Sequence, residues 1–178
     1  SPALISKIEL VLIELNVGMK ERQEKVVNEL EGVNLRWSNI EDLILRPVTG
    51  VVIANEVLDA LPVERLVFTE NNVFRQGVSL RKVNDEYFLE FVDLSPTSEI
   101  MKFLQNSNSL LNIEFPPKGI CDRWITEWHC DLPNLFGTLS KILINGSLLV
   151  VDYAMESRRY YSAIRKDGTL ISYRNQKA

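Results

Sequence analysis

The chain has 178 residues, 46% of them apolar and 25% charged, which is an ordinary globular balance large enough for one domain with a continuous core, so disorder is excluded. A net charge of -4 provides no chain-wide basic field for nucleic acid or an anionic membrane surface. No run has the length of a transmembrane span, the first residues lack the order of a signal peptide, and two cysteines make no disulfide framework, so a soluble protein in a reducing compartment is expected.

"KIELVLIELN" (7 to 16) is nearly continuous in apolar residues from Ile8 to Leu15 and reads as a parallel strand covered on both faces. Asn16 caps a following helix in which Met19, Gln23, Val26 and Leu30 share one face, Glu21 pairs with Lys25, and Gly32 ends the run. "VNLRW" (33 to 37) is a second strand, followed by a polar loop "SNIED". "GVVIA" (50 to 54) is a third, and if a helix begins at Asn55 the spacing puts Glu56 and Asp59 on one face of it. "VFRQGVSLRKV" and "EYFLEFVDL" flank Asn84-Asp85 as an antiparallel hairpin. Ser95-Pro96 opens a helix with Ile100, Met101, Phe103 and Leu104 inward, closed by "NSNS", and Pro116, Pro117 and Gly119 punctuate a loop.

The apolar positions Trp124, Ile125 and Trp128 continue past Pro133 as Leu135, Leu139, Ile142 and Leu143, a helical face that Asn145-Gly146 ends. "SLLVVDYA" (147 to 154) is the fourth buried strand and "TLISY" one more. The single His129 stands beside Cys130, but the spacing supplies too few ligands for a metal, so none is expected.

Each buried run ends in polar groups: Glu14 and Asn16, then Ser38 to Asp42, then Asn55, Glu56 and Asp59, then Asp152 and Tyr153. In an open parallel sheet such ends adjoin the crevice where ligands bind. A carboxylate there, as at Glu14, accepts hydrogen bonds from both hydroxyls of a ribose diol, and Ile40 with Asn39 offers an adenine ring an apolar face and a polar partner. Taken singly, each of these groups is as well explained as a cap or a turn.

"ANEVLDALPV", "LLVVDYA" and "RRYYSAIRKDGTLISY" together resemble the MidA family of S-adenosylmethionine-dependent methyltransferases, in that family's order. Its Asn-Glu-x-x-Asp-Ala-x-Pro signature is intact at Asn55, Glu56, Asp59, Ala60 and Pro62, and its Gly-Thr-Leu-x-x-Tyr segment at Gly168, Thr169, Leu170 and Tyr173. "LIELNVGMKERQ" is similar to the ribose-binding strand and helix, and Thr126-Glu127 to an acidic position ahead of the penultimate helix. Ala154 stands where the family has Gly after Asp-Tyr.

The resemblance implies an α/β fold, a partial Rossmann-like methyltransferase sheet over residues 1–178, mostly parallel, with an inserted β-hairpin and helix at 67–111. It implies S-adenosylmethionine as cofactor, held by Glu14, Asn39, Ile40 and Asn55. Glu56 and Asp59 become the catalytic carboxylates, three apart on one helical face, and Pro62, Asp152 and Tyr153 the substrate side. It also implies a protein arginine side chain as acceptor, a link to respiratory complex I assembly, and residence in a bacterial cytoplasm or the mitochondrial matrix.

The family's glycine-rich loop and first strand would precede Ser1, so the chain is expected to be incomplete for catalysis, with exposed sheet edges that pair with a second copy. A non-catalytic assembly factor that binds a client through residues 67–111 is the rival expectation. An NAD-dependent oxidoreductase ranks below both, because "NEVLDALP" has no place in hydride transfer.

Overall fold

The computed structural model describes residues 6–27 and 32–172, so Leu30 and Tyr173 lie outside the described residues. In chain order the elements are β1 (Glu9–Ile13), α1 (Val17–Val27), β2 (Asn34–Ser38), α2 (Ile40–Leu45), β3 (Val48–Asn55), β4 (Glu64–Phe68), β5 (Val73–Val83), β6 (Glu86–Leu94), α3 (Ser98–Leu111), β7 (Trp124–Trp128), α4 (Leu132–Leu139), β8 (Leu143–Val151) and α5 (Ser157–Tyr160). They divide into two compact units, Ser1–Asn55 with Pro133–Val151 and Glu56–Leu132 with Asp152–Ala178.

The first unit is the parallel part of an α/β fold. β1 pairs with β2 from Glu9↔Asn34 to Ile13↔Ser38, and β3 with β8 from Val48↔Leu143 to Asn55↔Val151. Leu43, Leu139 and Ile142 form its buried centre, and Val11, Val48, Val52 and Leu148 pack on it from the strands. Gly146, at φ 150, lies so close to Gly50 that a Cβ would overlap the Gly50 carbonyl oxygen, so β3 and β8 approach there through glycine alone. Asn16 caps α1 as expected, its side chain accepting from the Met19 N–H at 3.0 Å.

Three expectations for this unit are corrected. "SNIED" is not all loop: Asn39 accepts from the Asp42 N–H at 2.7 Å and starts α2, a cap signal that the run of polar residues concealed. Among the described residues α1 carries the ion pair Lys20–Glu24 at 3.8 Å in place of the expected Glu21–Lys25. The strands are also less buried than their composition suggests, with Val51 and Ile53 of β3 64% and 66% exposed. A two-stranded pair covered by helices on one side leaves alternate residues open, whatever their hydropathy.

The second unit is built on an antiparallel sheet in the order β6-β5-β4-β7. Asn84 and Asp85 both have positive φ, 48° and 63°, between the paired residues Val83 and Glu86, so the expected hairpin is present with a two-residue turn of the type that matches strand twist. Leu66, Phe68, Ile100, Phe103, Phe115, Trp124 and Tyr161 make its core, with Phe103 stacked on Trp128 at a centroid distance of 4.8 Å. Burying a side chain of this size contributes roughly 2 kcal/mol, so the aromatic cluster dominates the unit's stability.

Here too the structure departs from the periodicity. Residues 124–128 are a strand, not the start of a helix, and α4 begins only at Leu132; β8 then starts at Leu143, before Asn145-Gly146. "WITEW" is rich in aromatic and β-branched residues, and that preference wins once β4 offers a partner from Glu64↔Trp128 to Phe68↔Trp124. Met101 of α3 is 44% exposed, while Ile100 and Phe103 are buried as expected, and the helix runs through "NSNS" to Leu111. Residues 169–172 form no strand; only Asp167 bridges to Ile125.

Candidate functional site

In the first unit the polar groups stand where the sheet grammar puts them. Ile13 and Ser38 are the last paired residues of β1 and β2, so Glu14 and Asn39 follow at the carboxyl ends of neighbouring parallel strands. Glu14 Oε1 accepts from the Asn16 N–H at 2.8 Å and Oε2 from Gln23 Nε2 at 2.9 Å, while Gln23 in turn accepts from Trp37 Nε1 at 3.3 Å. This Trp37–Gln23–Glu14 relay orients the carboxylate, and Gln23 and Trp37 were not foreseen as its partners. A carboxylate has about four acceptor sites, so two donors leave room for two further ones, such as the hydroxyls of a diol.

Asn39 spends its side chain on the α2 cap and on Asp42 Oδ2, at 3.1 Å, with Ile40 half-buried beside it. Asn55 is exposed as the last residue of β3, paired with Val151, the residue before Asp152.

In the second unit the expected helix from Asn55 is absent. Residues 56–63 form a turn, with Glu56 at φ 50, a left-handed conformation that costs a residue with a Cβ about 1 kcal/mol. Glu56 and Asp59 therefore do not share a helical face, although both side chains are exposed. Pro62 closes the turn, exposed, and Tyr153 is 85% exposed.

Asp152 holds this turn. Its Oδ2 accepts from the backbone N–H groups of Val57 at 3.1 Å, Leu58 at 2.7 Å and Asp59 at 3.4 Å, and Oδ1 accepts from Tyr153 N–H at 2.8 Å. Desolvation pushes its acidity one way, but the donors from Leu58, Tyr153, Asp59 and Val57 outweigh it and hold the carboxyl below its ordinary range.

A second polar cluster lies under the Gly-Thr-Leu segment, around a buried carboxylate. Glu127 Oε2 accepts from Thr169 N–H at 2.8 Å, Thr169 Oγ1 at 3.0 Å and Tyr160 OH at 3.5 Å, while Oε1 accepts from Leu170 N–H at 3.4 Å and pairs with Arg65 Nε at 3.5 Å. Gly168 has φ 79°, and a Cβ there would overlap Glu127 Oε1, which accounts for the glycine. The three motif residues thus build an anion hole that the chain fills with its own glutamate. His129 Nε2 lies 3.1 Å from Tyr160 OH; burial lowers the pKa of this imidazole against the opposing charge of Glu127, and burial likewise raises that of the Tyr160 phenol. Thr126-Glu127 carried a weak signal for this cluster, hidden because the segment read as a helix.

Among the described residues no group of three or more His, Cys, Asp or Glu is placed to hold a metal, and no helix is long and apolar enough to cross a membrane. Over residues 1–178 the chain matches the model of a family described as "Putative S-adenosyl-L-methionine-dependent methyltransferase". No curated protein matches it. Among solved structures it is similar to a Burkholderia thailandensis protein described as a "likely methyl transferase" and bound to S-adenosyl-homocysteine, with a TM-score of 0.68 and 22% identity over 90% of this chain. The chain spans 38% of the length of that protein, and the likeness carries the fold alone.

Proposed function

Because the chain belongs to the S-adenosyl-L-methionine-dependent methyltransferase family over its residues 1–178, we propose that the whole protein is a MidA-type enzyme that methylates the arginine side chain of a protein client. The observation that carries this reading is the ordered "NEVLD" turn: Asp152 fixes its backbone, and Glu56 and Asp59 stand on it as exposed carboxylates beside Asn55, the end of a parallel strand.

S-adenosyl-L-methionine, when bound, supplies an electrophilic methyl group. Glu14 would hold its ribose, with Asn39 and Ile40 toward the adenine and Asn55 toward the reacting end. Glu56 and Asp59 would pair with the guanidinium, localise its charge and take up the proton that must leave, a task its pKa above ~12 denies to water at neutral pH. Pro62 and Tyr153 would border the acceptor's path. The MidA resemblance points to residence in a bacterial cytoplasm or in the mitochondrial matrix, there with a link to respiratory complex I assembly.

One observation favours a second reading, an assembly factor without catalysis. Val78, Leu80, Leu89 and Phe91 share one face of the β5–β6 hairpin and are 60%, 63%, 75% and 68% exposed, and β6 is an edge strand open to a client or a second copy.

The deciding experiment uses the whole protein. Calorimetric titration with S-adenosyl-homocysteine should show binding, and label from methyl-tritiated cofactor should enter arginine-containing peptides but not their lysine counterparts. Glu56→Gln and Asp59→Asn should lower turnover by about a hundredfold while keeping that affinity. Absence of binding, or full turnover in both variants, overturns the proposal.

A further inference from the structure

Two of the three motif segments that carry the family resemblance, "ANEVLDALPV" and "LLVVDYA", are joined by one carboxylate oxygen across 93 to 95 residues of sequence. Three consecutive backbone N–H groups, of Val57, Leu58 and Asp59, converge on Asp152 Oδ2, and the second oxygen of the same carboxylate is tied down by the Tyr153 N–H. An ionised acceptor makes such bonds shorter and stronger than a carbonyl would. The turn they hold begins at Glu56, whose left-handed backbone no glycine relieves, so something outside the turn must maintain it.

We propose that Asp152 is a positioning residue: its carboxylate locks the backbone of residues 57–59 and so sets the directions in which Glu56 and Asp59 project. This assignment rests on the methyltransferase reading and replaces the substrate contact expected for Asp152 with a role exerted through the loop. The oxygen already receives three N–H donors within 3.4 Å, and the remaining oxygen receives a fourth, which leaves this side chain little capacity for a guanidinium. Specificity for the carboxylate follows from the number of donors. An amide in its place presents one oxygen to the three N–H groups and turns its NH₂ toward the Tyr153 N–H, donor against donor.

The test compares the whole wild-type protein with Asp152→Asn and Asp152→Ala by amide hydrogen exchange at pH 7. In Asp152→Ala the amides of Val57, Leu58 and Asp59 should exchange at least about tenfold faster, while those of β4 and β7 keep their protection; Asp152→Asn, which keeps one acceptor, should fall between. The same variants are assayed with S-adenosyl-homocysteine and tritiated cofactor. The expected pattern is a fall in kcat of about tenfold or more in Asp152→Ala, an affinity for S-adenosyl-homocysteine within about threefold of wild type, an unchanged KM for the peptide, and partial recovery in Asp152→Asn.

Unchanged exchange at residues 57–59 in Asp152→Ala overturns the proposal. So does a raised KM for the peptide with those amides still protected, which would return Asp152 to direct substrate contact. Should Asp152→Ala fail to fold, the comparison of wild type with Asp152→Asn decides in the same way. Failure of the methyltransferase reading itself would appear separately, as wild-type protein that binds no S-adenosyl-homocysteine while the exchange pattern at 57–59 stands.

Discussion

Glu127 is 1% exposed, and its two oxygens meet Thr169, Leu170, Tyr160 and Arg65. A carboxylate so placed stabilises only while its partners are present; removing it leaves the Arg65 guanidinium, itself largely buried, without a counter-charge. Glu127→Ala is therefore expected to cost about 3 kcal/mol in denaturant unfolding, with the loss felt first around residues 167–170. A cost under about 1 kcal/mol would mean that the cluster is solvated in solution. The same contact explains Gly168 without recourse to catalysis, so part of a motif that marks a family is spent on its own internal support.

At the level of elements, the hairpin shows how far turn chemistry reaches. Asn84 and Asp85 both sit at positive φ, which Asn tolerates and Gly adopts without cost. Asp85→Gly should raise stability by about 0.5 kcal/mol, because the strain relieved exceeds what is lost with the exposed Lys82–Asp85 pair, and exposed pairs are worth little. A lowered melting temperature in that variant would show that the ion pair matters more than the backbone. Hairpin, α1 and α3 were legible because each carries its own local signal, a two-residue turn or a cap. β7 was not, because five residues are too few for periodicity to speak and its strand state depends on β4, which lies some sixty residues earlier.

For the molecule as a whole, the two units differ in what holds them. Among the described residues, one has three buried aliphatic residues at its centre, the other a cluster of seven that includes five aromatic side chains. Native-state hydrogen exchange should accordingly find the slowest amides in β4 and α3 and faster ones in β1 and β2, whose outer edges are unpaired among the described residues. Equal protection in both units would mean that the aliphatic centre is supported by contacts beyond those seen. The exposed faces of β3 and of the hairpin belong to the same scale: hydropathy marks a residue as suited to burial, but only neighbouring elements bury it.

The amino-acid sequence by itself determined the α/β class, the approximate positions of β1, β2 and β3, the hairpin turn, and the placing of Glu14, Asn39 and Asn55 at strand ends, since all of these follow from apolar runs and local backbone preferences. Only the tertiary structure decided that Asp152 grips the turn after Asn55 and that Glu127 fills the hole made by Gly168, Thr169 and Leu170. Those contacts join segments about forty to ninety-five residues apart. Hydrogen bonds of that kind have no period and no local propensity; they exist because packing brings a carboxylate to backbone N–H groups that would otherwise be left without partners.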